Sequence, residues 1–456
     1  VIQVTKPWCI ALLVLLAISI GLFAHKSDGR YFFEDGDTGL LLSGIHSEHH
    51  PWIHSWIHDW PIGNHFYRPL STLSIQIDDA LYHRNGDGWG LTNILIVIGC
   101  TVGLFWLARE VTDDPIYTTI TTAIFYLWEL DSGGFFTNIV GGVALAICIT
   151  GIYRHRTRCK LYLPAAFVWI WFSIEMQGVS FLQSREINWV PGRTASTMLL
   201  FALPALACFA RFCRLNPQRK AQETYSSTDV PATKSTSMAS QRSPSKAWAY
   251  LSAFLTLLSL ACYEQAVAVP LLIALVAYSW HLRNRKINWS FSFLFGLALM
   301  VYIAAHLSFV SIHPSHYYTM QRRNFGTGLL MLQRYLFFPV ITVMGLYFSK
   351  FIWSFLYICG EFVAAIKIIS SFYAVWEARR RWILIGFGWL GSSLAYLPMA
   401  WFKEFGHYHY FPMAIRSIAV AGLGLVAYEL IIIAVSPPAI QAPARPSPAP
   451  GSLVHL

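Results

Sequence analysis

Long apolar runs alternate with short polar breaks along most of this chain. Runs near residues 7–24, 91–109, 115–130, 137–153, 161–177, 194–212, 247–263, 265–281, 288–310, 351–375, 382–402 and 413–434 each approach the length of a tilted membrane-crossing helix. The pattern predicts an all-α polytopic membrane protein of about 12 transmembrane helices. Residues 328–348 are also apolar. If they crossed, the basic run Arg379 to Arg381 would fall on the wrong side, so a re-entrant or interfacial hairpin bent near Pro339 is expected.

The first two runs are separated by residues 25–90, far more chain than a simple helix connection needs. This first loop is expected to lie outside the cytoplasm and to carry interfacial helices. Residues 1–434 read as one transmembrane domain. Residues 215–246, rich in Ser, Thr, Lys and Gln, read as a flexible cytoplasmic linker. Residues 435–456 read as a disordered Pro/Ala-rich tail. The run at 7–24 lacks an obvious small-residue cleavage site and reads as a retained anchor.

Composition agrees with a membrane protein: 55% of residues are hydrophobic and 12% charged. Eighteen Trp and 22 Tyr suit two wet interfaces. The net charge of +10 is carried largely by short clusters between apolar runs, which argues for cytoplasmic loops rather than nucleic-acid binding. The clusters at 154–160, 211–246, 283–286 and 379–381 set the orientation. The eight cysteines form no Cys-x-x-Cys pair and read as small buried hydrophobes.

With that orientation the polar outliers share the outer face: Glu34, Asp35 and Asp37 just after the first run, Arg68, Asn188 to Arg193, Glu264, Arg322 and Arg323, and His407 to Tyr410. Carboxylates and guanidiniums at the mouth of an apolar bundle suit a lipid-linked phosphate and a hydroxyl nucleophile. A partly desolvated carboxylate can serve as a base.

The order of these motifs resembles the GT-C superfamily of integral-membrane glycosyltransferases. The likeness is strongest to the protein O-mannosyltransferase-like and transmembrane O-mannosyltransferase-like groups, in a bacterial-type form. An acidic group follows the first span (Glu34, Asp35, Asp37), and a Tyr-Arg-Pro-Leu element lies in the first loop (Tyr67 to Leu70). Gly192 and Arg193 match a later Gly-Arg, and Glu264 with Pro270 matches an acidic turn before a Pro-containing helix. His407 to Pro412 loosely match a late Arg-Tyr-Leu-Tyr-Leu-Pro element, with His407 where the family has Arg. The resemblance implies a polyprenyl-phosphate sugar donor used at the extracytoplasmic side of a bacterial inner membrane or ER-type membrane. The acceptor would be a hydroxyl of a protein, lipid or glycan. It implies an inverting transfer with Asp35 as base and Asp37 as the alternative. Arg193, with Arg68 or Arg322, would hold the leaving phosphate. Glu264, His407, Tyr408 and Tyr410 would complete the site. No cofactor is required by this scheme.

Blander readings stand beside these. EDGD is ordinary turn chemistry, Arg68 and Arg193 could be interfacial anchors, and Glu264 could sit in a helical-hairpin turn. His46, His50, His54 and His58 recur every fourth residue with Trp52, Trp56 and Trp60 beside them. That spacing favours an amphipathic helix on the outer leaflet over a metal site. A divalent metal at Asp35 and Asp37 is likewise not the favoured reading. His313, His316, Tyr317 and Tyr318 read as wet interface residues. A transporter or flippase of lipid-linked sugars, or a non-catalytic subunit with the same fold, are the rival functions.

Overall fold

The computed structural model describes residues 33–47, 52–129, 189–215, 246–282, 291–310, 316–337, 376–403 and 406–435, with Leu12 and short helical stretches between 143 and 172. The regular elements among them are helices. They are α1 (Gly36–Ser47), α2 (Pro69–Tyr82), α3 (Gly86–Thr112), α4 (Pro115–Glu129), α5 (Arg193–Leu215), α6 (Ala247–Leu260), α7 (Val269–His281), α8 (Ser292–Phe309), α9 (His316–Gln321), α10 (Phe325–Phe337), α11 (Trp376–Tyr396) and α12 (Tyr410–Val435). Five segments are long and apolar enough to cross a membrane: Gly86–Thr112, Arg193–Leu215, Ser292–Phe309, Arg381–Met399 and Gly406–Ile432. The protein is thus all-α and of membrane type. The expected spans at 7–24, 137–153, 161–177 and 351–375 lie wholly or mostly outside the described residues, as do the bend at Pro339, most of the 215–246 linker and nearly all of the tail.

Local chemistry sets the helix starts. Pro69, Pro115 and Pro270 occupy first or second helical positions, where a missing N–H costs nothing. The Asp114 carboxylate accepts from the amides of Ile116 and Tyr117 at 2.8 and 3.2 Å and so caps α4. Asn85 caps α3 through the Asp87 amide.

Helices α3 and α5 run side by side in the same direction: Asn93 meets Arg193 near their starts and Glu110 meets Arg211 near their ends. Gly99 and Gly103, one turn apart on α3, permit the approach. A Cβ at Gly99 would run into Leu200, and one at Gly103 would press on Leu203 and Pro204. Helix α6 returns antiparallel to α5, with Trp248 against Trp106 near one end and Ala261 holding the Leu70 amide at the other. Helices α11 and α12 form a second close pair, and the Tyr117 hydroxyl of α4 donates to the Ile418 carbonyl of α12.

Arg109, Arg211, Arg214, Lys246 and Arg381 fall at one end of this bundle, the basic end. Glu110 is buried there between Arg211 and Arg214, and Arg381 pairs with Glu429. At the opposite end α1, α2 and residues 52–68 form a cap over a small separate core of Leu41, Ile45, Trp60, Ile75, Trp89 and Val190. The cap differs from the helix expected for the histidine run. Helix α1 ends at Ser47 and Trp52–Trp56 is a short 3-10 turn, with Pro51 between them unable to donate a helical hydrogen bond. His46 instead reaches Asp79 at 2.8 Å, His54 stacks on His58, and Trp60 is buried in the cap core.

Candidate functional site

The cap end gathers most of the polar residues singled out above. Asp35 precedes α1 and caps it: Oδ2 accepts from the Thr38 amide and hydroxyl, both at 3.1 Å. The same oxygen accepts from the indole N–H of Trp189 at 2.7 Å. Trp189 comes from the turn that begins α5, so this bond joins the acidic segment to the bundle. Glu34 and Asp37 are exposed. Partial burial, and then the Asp35 charge, hold the Asp37 carboxyl above the ordinary range.

Trp189 also packs against His407, ring centres 5.1 Å apart, and His407 packs on Tyr408 and Tyr263 at 4.5 and 6.0 Å. Beyond Tyr263 lies Arg68. Its guanidinium sits 4.2 Å from the Phe66 ring centre, 4.6 Å from Tyr263 and 5.3 Å from Trp60. Arg68 grips Glu264 through Nε (3.0 and 3.1 Å) and Nη2 (2.7 Å). Burial works against the Arg68 charge, but Glu264 and then Tyr263 outweigh it, so the proton is held more tightly than usual. Glu264 opens the 3-10 turn Glu264–Ala268. Next to it, Gln265 donates to the carbonyls of Ala395 and Tyr408 at 3.0 and 2.8 Å and fixes the His407 turn in place.

Arg193 is placed differently from the expectation of a ligand-facing arginine. It is fully buried, and Nη1 lies 2.6 Å from Asp78, itself 3% exposed. Nε donates to Asn93 at 2.6 Å, and the remaining nitrogens reach the carbonyls of Ser74 and Trp89. With its donors occupied and no exposed surface, Arg193 clamps α2 to the starts of α3 and α5. Tyr410 also lies inside the bundle, against Phe125.

Arg322 belongs to a second location. Together with Thr319, Arg323, Asn324, Phe325 and Trp401 it lines a cavity of about 420 Å³. The side chains of His316, Tyr317 and Tyr318 lie outside the described residues. Among the described residues no three His, Cys, Asp or Glu side chains group to hold a metal ion, and Cys100, Cys208, Cys213 and Cys262 are free and buried.

Sequence reasoning overlooked Asp78 and Asn93. Their signal was present: in PLSTLSIQIDDALY, Ser71, Ile75 and Asp78 share the helical face turned inward, which places a carboxylate in the interior. Tyr263 was overlooked too, because an aromatic platform for Arg68 requires knowing that residues 68 and 263 meet.

Comparison of the chain with family models, curated proteins and solved structures finds no match.

Proposed function

We propose that this protein is a membrane glycosyltransferase that moves a sugar from a polyprenyl-phosphate donor to an acceptor hydroxyl, working at the cap end on the extracytoplasmic side. One observation carries the reading. Asp35 and the Arg68–Glu264 pair belong to one continuous set of contacts, Asp35–Trp189–His407–Tyr263–Arg68–Glu264. A carboxylate and a guanidinium held at two ends of an aromatic wall match a base on one side of a sugar ring and a phosphate site on the other.

In this scheme the acceptor hydroxyl gives its proton to Oδ1 of Asp35 while Oδ2 stays with Trp189 and Thr38. The hydroxyl oxygen bonds to the anomeric carbon, the sugar–phosphate bond breaks, and the lipid phosphate leaves with the electron pair toward Arg68. Configuration inverts because attack and departure are on opposite faces. Asp37 is the alternative base. Arg193 is assigned the structural clamp rather than phosphate binding, and Glu264 the positioning of Arg68.

Asp35→Asn tests this directly, because Asn caps a helix as well as Asp does. With a labelled polyprenyl-phosphate sugar and the full chain in proteoliposomes, the variant should fold as the wild type and lose about 10²–10⁴-fold in glycoside formation. Unchanged transfer by Asp35→Asn and by Asp37→Asn would remove both bases. The capping role of Asp35 favours the non-catalytic alternative to one degree: it explains the residue without chemistry. A wild-type chain that forms no glycoside from any such donor would support that alternative.

A further inference from the structure

The cavity beside Arg322 stands apart from the proposed transfer site and does not depend on it. Residues 321–323 pair with residues 401–403: the Arg323 amide donates to the Trp401 carbonyl at 2.6 Å and the Lys403 amide to the Gln321 carbonyl at 2.8 Å. This short antiparallel contact fixes the two arginines against Trp401. Neither guanidinium has an acidic partner among the described residues, and Nη1 of Arg323 is shut off from solvent with no hydrogen-bond partner there. Leaving such a charged donor unsatisfied costs more than leaving a neutral one, so the geometry has an unmet demand for an acceptor.

The remaining walls say which acceptor. Helix α10 begins at this point with its positive dipole end, and Asn324 caps it through the Thr327 amide at 2.8 Å. Phe325 and Trp401 stack with ring centres 6.0 Å apart. Gly328 lies so close to Trp401 that no side chain would fit between them. Phe325 and Leu329 lie one turn apart and are 69% and 45% exposed, and Leu330 beside them is 40% exposed. A cationic pocket thus opens onto an apolar helix face. The cavity is the size of a small organic ligand rather than a single ion.

We infer that this pocket binds the phosphate of an anionic amphiphile, with its chain laid along Phe325 and Leu329. Arg322 and Arg323 take the phosphate oxygens, the α10 start adds its dipole, and Trp401 packs against the linker next to the phosphate.

The experiment uses the full chain purified in detergent and native mass spectrometry. The probes are phosphatidylglycerol, phosphatidylcholine and inorganic phosphate. Wild type should retain phosphatidylglycerol about tenfold more tightly than phosphatidylcholine. Arg322→Gln with Arg323→Gln should abolish that preference, whereas Arg84→Gln, an exposed arginine elsewhere on the cap, should keep it. If the double variant fails to fold, Arg322→Gln alone removes only an exposed side chain and should lower the preference about threefold. Equal retention of the two lipids, or a preference that survives loss of Arg322, overturns the inference. Competition by inorganic phosphate at the same concentration as phosphatidylglycerol also overturns it, because the site would then serve a free anion.

Discussion

Two arginine–carboxylate pairs lie at the same end of this molecule and are built for different tasks. Arg193 and Asp78 are 0% and 3% exposed, and hydrogen bonds fill the rest of the guanidinium fork. Arg68 and Glu264 are 11% and 21% exposed, and Arg68 is ringed by aromatic faces rather than by carbonyls. A buried pair whose partners are all protein holds helices together. A pair that water can reach, with one arginine face turned to aromatic rings, can exchange its partner for a ligand. Burial and the identity of the other partners distinguish the two; the residue types alone do not.

The largest test of that contrast is Arg193→Ala, which leaves Asp78 buried without its cation and should cost about 3–5 kcal/mol, read as a fall in the thermal unfolding midpoint in detergent. Arg193→Met with Asp78→Leu should recover most of it, since a well-packed apolar pair replaces the charges. Next comes Arg68→Gln. It should lower sugar transfer about 10²-fold while shifting the unfolding midpoint less than Arg193→Ala does. Equal destabilisation by the two variants would break the comparison. The smallest effect is at Asp37. Its carboxyl is raised by partial burial and then by Asp35, so the folded state holds that proton more tightly than the unfolded chain. This contribution is present at low pH and is lost as pH rises through the folded value. Asp37→Asn should therefore leave stability unchanged at pH 3 and raise it slightly at pH 7, measured by paired thermal melts.

Much of the helix frame was legible because bilayer-length apolar runs need no tertiary information. Helix α3 contains the expected 91–109 and extends it at both ends, and α12 does the same for 413–434. The approach of α3 and α5 was not read, although Gly99 and Gly103 stand in the sequence as a small-xxx-small pair. At the cap, Asp35, Arg68, Glu264 and His407 were legible as polar residues beside apolar runs. Their partners were not. Trp189 reaches back 154 positions to Asp35, and Glu264 lies 196 positions from Arg68. The histidine spacing misled because periodicity promises one face only while the helix continues, and α1 stops at Ser47.

The parallel pair α3 and α5 is fastened by charge at both extremities, Asn93–Arg193–Asp78 at one and Glu110–Arg211 at the other. Seventeen residues of α3 separate the two fastenings, a rise of about 26 Å. A slip of one turn, about 5.4 Å, would tear both at once. The two helices therefore move as a single strut. Any rocking needed to admit a long lipid must come from elements hinged around it, and α8, whose apolar stretch is only 17% buried, is the one least restrained to stay still.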